Sequence, residues 1–95
     1  MPLQTLALLN SAFVVDRAKA FAARVEHESQ DDTARLRLAY LTAWGREPQS
    51  AELESARQFL DTQAAEYQST ANPRSLAWVD FCQMLLAANE FLYVE

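Results

Sequence analysis

His27 is the only histidine of the chain, and it stands between Glu26 and Glu28. A zinc site needs three or four converging donors, as on a helix that presents His-Glu-x-x-His. The second histidine is missing, and neighbouring residues of a helix point about 100° apart, so Glu26, His27 and Glu28 cannot face one ion. His27 therefore reads as a solvent-exposed side chain near a helix C-terminus, where partial positive charge is favoured. Cys82 is the single cysteine. A nucleophilic thiol needs a base or a positive charge beside it. Cys82 instead lies in an apolar run with Trp78 and Leu85 at helical spacing, which reads as a buried structural residue. The carboxylate pairs Asp31-Asp32, Glu52-Glu54 and Glu26-Glu28 fall at helix ends or on polar faces. Acid–base catalysis needs opposed carboxylates in a cleft, and capping and solvation account for these more simply. One glycine, Gly45, cannot build a phosphate-cradling loop. The residue types thus point to no catalytic residue, no metal ligand and no cofactor.

The elements that would position any site are helical. Isoleucine is absent and valine scarce, whereas Ala, Leu, Gln, Glu and Arg dominate, a mixture that favours helix over strand. The expected fold is all-α: a single bundle of four main helices plus a short N-terminal helix over residues 2–10, with the whole chain, 1–95, as one domain. Pro2 suits a first helical turn, and Asn10-Ser11 reads as a stop and restart. A helix from Ala12 to Glu26 carries Val14, Ala18, Phe21 and Val25 on one face. Asp31 or Asp32 caps a helix from Thr33 to Trp44. Its faces Ala34/Leu38/Leu41 and Leu36/Ala39/Ala43 are both apolar, so it should be sandwiched. Gly45 suits the position after that helix, and Pro48 blocks continuation. Ser50 caps a helix that runs to Gln68, with Leu53, Ala56, Leu60, Ala64 and Tyr67 in one stripe and Glu52 and Glu54 in its first turn. Ser75 caps a last helix from Leu76 to Asn89, apolar on most sides and expected at the centre.

Composition removes several function classes. The net charge is −5, and the seven Arg and one Lys are scattered, which argues against a nucleic-acid partner and against an anionic membrane surface. No apolar run reaches the length of a membrane span, and Met1-Pro2-Leu3-Gln4 lacks the basic start of a signal peptide. A lone cysteine excludes an internal disulfide. Most aromatics fall at core spacing, with Trp44, Phe91 and Tyr93 expected to be partly exposed.

Polar residues inside the apolar ends stand out. Asn10 follows Leu8-Leu9, and Asn89-Glu90 precedes Phe91-Leu92-Tyr93-Val94. Asparagines in such surroundings need hydrogen-bond partners. They either cap helices or, with Gln4 and Glu90, tie the two chain ends together. The apolar ends Pro2–Leu9 and Phe91–Val94, including Phe91 and Tyr93, are candidates for contact with another surface.

The same segments carry a resemblance. Pro2-Leu3-Gln4-Thr5-Leu6-Ala7-Leu8-Leu9-Asn10 comes first. Ala39-Tyr40-Leu41 through Trp44-Gly45-Arg46-Glu47-Pro48 follows, with Ala51-Glu52-Leu53. Cys82-Gln83-Met84-Leu85-Leu86 and the more specific Asn89-Glu90-Phe91-Leu92-Tyr93-Val94 close the series. In that order they resemble the C-terminal portion of a planctomycete-type family of uncharacterised multidomain proteins, domain of unknown function 1553, over almost the whole chain. The resemblance implies an exported, extracytoplasmic parent, often with a cytochrome-c-like segment upstream; Met1 then begins either an excised fragment, which is the expected case, or a short stand-alone relative. It supplies no catalytic residues, and Cys-x-x-Cys-His is absent from this chain. The expected role is a non-catalytic interaction or structural module that packs against upstream domains of its parent or a second copy. The alternative is an independent adaptor that binds a partner helix in an apolar groove flanked by Trp44 and Tyr40.

Overall fold

The computed structural model describes residues 12–93, with side chains through residue 88. Four helices follow one another: α1 (Ala12–Glu28), α2 (Asp32–Trp44), α3 (Ser50–Glu66) and α4 (Pro73–Tyr93). No strand occurs among the described residues. The short helix expected before Ala12 lies outside them.

Local chemistry sets most boundaries. The Asp31 carboxylate accepts the Ala34 N–H at 3.0 Å and starts α2, satisfying one of the amides that have no partner within the helix. Gly45 ends α2 with φ at 73° and donates its N–H to the Leu41 carbonyl, a left-handed position that glycine occupies without steric cost. Two expected caps are corrected. Gln49, not Ser50, holds the N-cap position of α3, and its N–H donates to Glu52 Oε1 at 2.9 Å. The Glu at N3 reaches back to the cap and makes a serine there unnecessary. Ser75 lies inside α4, which starts earlier, at Pro73. Proline suits that place because its ring presets φ and the missing N–H would have had no helical partner. α1 runs on to Glu28, and α3 stops at Glu66.

α4 is the central element and packs against all three others, while α1 and α3 do not touch each other. Its fully buried Trp78, Phe81, Cys82 and Leu85 meet Ala18, Ala22 and Val25 of α1, Leu36, Ala39 and Tyr40 of α2, and Ala56 and Leu60 of α3 in one core. Removing each large aliphatic side chain of that core from water contributes about 1.5–3 kcal/mol. The Ser75 hydroxyl at the start of α4 donates to Glu26 Oε2 at the end of α1, 3.0 Å away, so the two helices run antiparallel. Arg35 of α2 donates to the Ser29 and Glu26 carbonyls and closes the C-terminal end of α1.

α2 is not sandwiched as expected. Leu36, Ala39 and Tyr40 are buried, Leu38 and Ala43 are partly covered, and Leu41 is 46% exposed with Ala34 also outside. No other described helix covers the Ala34/Leu41 side. α4 is likewise less enclosed than its composition predicts, because Leu76 and Met84 are exposed.

Candidate functional site

The interface between α3 and α4 differs at its two ends. Near the end of α3, Asp80 Oδ2 accepts from Gln63 Nε2 at 2.8 Å and from the Tyr67 hydroxyl at 2.7 Å. That bond holds the Tyr67 phenol above its ordinary range, since ionising it would remove the donor and set two negative charges together. Arg74 donates to Asp61 at 2.7 Å and also to Asp32, joining α2, α3 and α4. Near the start of α3, the helices instead border a wide-open hollow of about 360 Å³ lined by Tyr40, Ala51, Glu52, Ser55, Ala56, Phe59, Phe81 and Met84. Phe81 forms its floor, with the Phe59 ring centroid 6.0 Å away and that of Tyr40 at 6.3 Å. Met84 is 44% exposed at this site, and its flexible thioether can repack against an incoming surface.

The one charged lining residue is already occupied. Arg46 grips Glu52 with two bonds of 2.8 Å, while its guanidinium carbon lies 5.3 Å from the Trp44 ring centroid and 5.8 Å from that of Tyr40. A planar guanidinium stacks on aromatic faces and matches a carboxylate fork at once. The Arg46 bond and the Gln49 N–H hold the Glu52 carboxyl down at about 2. Burial, then the Glu52 charge, pushes the Tyr40 phenol up. Glu52 is held as an ion-paired carboxylate by Arg46 and the Gln49 N–H, and the rest of the hollow offers mostly aromatic and aliphatic surface.

Tyr40 therefore flanks the groove as the sequence predicts. Trp44 does not line it: its indole N–H donates to the Leu85 carbonyl at 3.1 Å, and its ring stands edge-on to Tyr40. Phe59, Phe81, Met84 and the Arg46–Glu52 pair were not foreseen as a site. One signal for the pair was available, because Arg46 lies within the Gly45–Pro48 turn and Glu52 in the first turn of the helix that follows.

The remaining chemical candidates stay apart. His27 is exposed in the last turn of α1. Cys82 is fully buried, and burial, with the charge of Glu26 second, pushes its thiol up to about 12. Among the described residues no three His, Cys, Asp or Glu side chains are placed to hold a metal ion, and no helix is long and apolar enough to cross a membrane. The Trp78 indole N–H is buried with no acceptor among the described residues. Gln4 and Asn10 lie outside the described residues. Asn89, Glu90, Phe91 and Tyr93 fall on the backbone of α4, with side chains outside the description.

The model of the family described as protein of unknown function (DUF1553) matches residues 1–60. The chain belongs to this DUF1553 family. The matched span takes in α1, α2, the Gly45–Pro48 turn and the α3 side of the hollow. It ends well before Asn89–Val94, the stretch on which the resemblance is most specific. No curated protein and no solved structure matches the chain.

Proposed function

We propose that this DUF1553 bundle is a non-catalytic interaction module of a larger protein, one that packs against its parent's upstream domains or a second copy. The open apolar hollow carries the reading. Exposed apolar surface marks contact sites when it is contiguous; Met84 is exposed at the hollow, and Phe13 and Leu41 add exposed apolar area outside it. The buried, hard-to-ionise Cys82 and the ion-paired Glu52 support a non-catalytic reading. An exported, cytochrome-associated parent rests on the family resemblance. The antiparallel α1–α4 pair supports the end-tying role of Gln4, Asn10, Asn89 and Glu90, because it sets Ala12 and the Asn89 turn of α4 at the same end of the bundle.

Light scattering on the purified chain, with an apolar-surface dye on the same sample, tests the reading. A dimer or a strongly dye-binding monomer is expected. A dye-silent monomer would overturn it. The position of Tyr40 favours a second reading, in which a separate partner helix lies in the hollow.

A further inference from the structure

We propose that Met84 is an oxidation site that controls the hollow between α2, α3 and α4: a peroxide converts its thioether to the sulfoxide and switches the apolar packing surface off while the bundle stays folded. This adds a regulation to the packing role proposed above and rests on it.

Helix α4 carries two sulfur atoms in opposite surroundings. Met84 and Cys82 are two residues apart, about 200° around the helix. Cys82 is fully buried, and burial pushes its thiol up to about 12, so almost none of the reactive thiolate forms. Met84 is 44% exposed and lines the open hollow with Tyr40, Phe59 and Phe81. A thioether reacts without ionising, so access decides which of the two sulfurs an oxidant takes.

The fold does not lean on Met84. Among the described residues, α4 supplies Ala77, Trp78, Phe81, Cys82 and Leu85 to the buried core. An oxygen added to the Met84 sulfur therefore faces water in the free bundle. The hollow changes more than the fold does. Reduced sulfur suits the edges of aromatic rings, whereas the sulfoxide is polar. A surface that packs onto the hollow has to take the new oxygen out of water, which costs free energy when no donor meets it. The charged lining residue cannot help, because Glu52 is a carboxylate paired with Arg46 and has no proton to donate.

The sulfur lone pair takes one peroxide oxygen, the O–O bond breaks and water leaves. Sulfur is oxidised by two electrons and the peroxide is reduced. A dithiol reverses the change: the sulfoxide oxygen leaves as water and the dithiol closes to a disulfide.

Dilute hydrogen peroxide on the intact chain provides the test. Peptide mass spectrometry should place an added oxygen on Met84 and none on Cys82, with helical circular dichroism unchanged. Apolar-dye binding should fall, and the dissociation constant of a dimer should rise about tenfold, the effect of burying a poorly paired polar group. Methionine sulfoxide reductases for both epimers, supplied with a dithiol, should restore the starting behaviour. Met84→Leu keeps Met1 as its one methionine and should behave alike before and after peroxide, which separates Met84 from oxidation elsewhere. Met84 left unmodified where a free methionine peptide is fully oxidised would overturn the proposal. So would unchanged dye binding and mass after Met84 is oxidised, an equal peroxide response in Met84→Leu, or loss of helical signal. Each of these, beside an untreated chain that dimerises or binds dye, sinks the switch alone. A dye-silent monomer before any peroxide sinks the packing role and the switch with it.

Discussion

The two halves of α3 meet the same helix in opposite ways. From Leu60 onward, α3 closes on α4: Leu60 is fully buried, and Gln63 and Tyr67 converge on one oxygen of Asp80. From Ala51 to Phe59 it packs on the core through Leu53, Ala56 and Phe59 yet leaves an open hollow beside Met84. The physical difference lies in what each half presents. Gln63 and Tyr67 are long enough to reach across and hydrogen-bond. Ala51 and Ser55 are short and exposed and leave a recess beside the exposed Met84. A clasp at one end and small residues at the other give two helices one closed and one open end. The comparison teaches that the opening follows from side-chain size, while the backbone stays regularly helical across both halves.

Three measurements sharpen or break this comparison. The largest effect is expected from Leu60→Ala in the closed half, a loss of about 2–5 kcal/mol in urea denaturation, because tight surroundings cannot collapse onto the void. Phe59→Ala, at the open edge, removes more atoms yet should cost less. Equal or greater cost at Phe59 would mean that the hollow is as tightly packed as the core. Next comes Asp80→Ala, which strands two half-buried donors and should cost about 1–3 kcal/mol. A double-mutant cycle with Tyr67→Phe should show coupling of about 0.5–3 kcal/mol. Additive effects would show that the clasp does not act as a unit.

The smallest effect concerns acid. The folded carboxyl of Glu52 titrates at about 2, below its ordinary value of 4.5. Its pairing with Arg46 therefore adds stability that is complete above about pH 5 and is lost as the pH falls from there toward 2. The pair is partly solvated, so the change is modest. The urea midpoint of wild type should drop more between pH 6 and pH 2.5 than that of Glu52→Gln. Parallel profiles would remove the Arg46–Glu52 fork as a stabilising element of the open end.

Parts of the site were legible in the sequence, and the reason is distance along the chain. Tyr40 was placed beside a groove because it belongs to an apolar helix that ends at a marked turn. Trp44, one turn on, carried the same signal, yet its indole found a carbonyl forty-one residues away. Ser75 looked like a cap until the Glu26 carboxylate, forty-nine residues distant, claimed its hydroxyl. Nothing in the pattern around Met84 distinguished it from Leu85, although one lines the hollow and the other is buried in the core.

The sequence by itself determined the helices, their breaks and the buried stripes of α1 and α3. Capping at Asp31, the left-handed turn at Gly45 and three-to-four-residue apolar spacing all act between residues a turn or so apart. Only the tertiary structure decided which apolar face of α2 would be covered and which donors would meet Asp80. It also decided that an open recess would remain beside Met84 near the start of α3. Those outcomes depend on the sizes and reach of side chains brought together from separate helices, and local spacing carries no record of them.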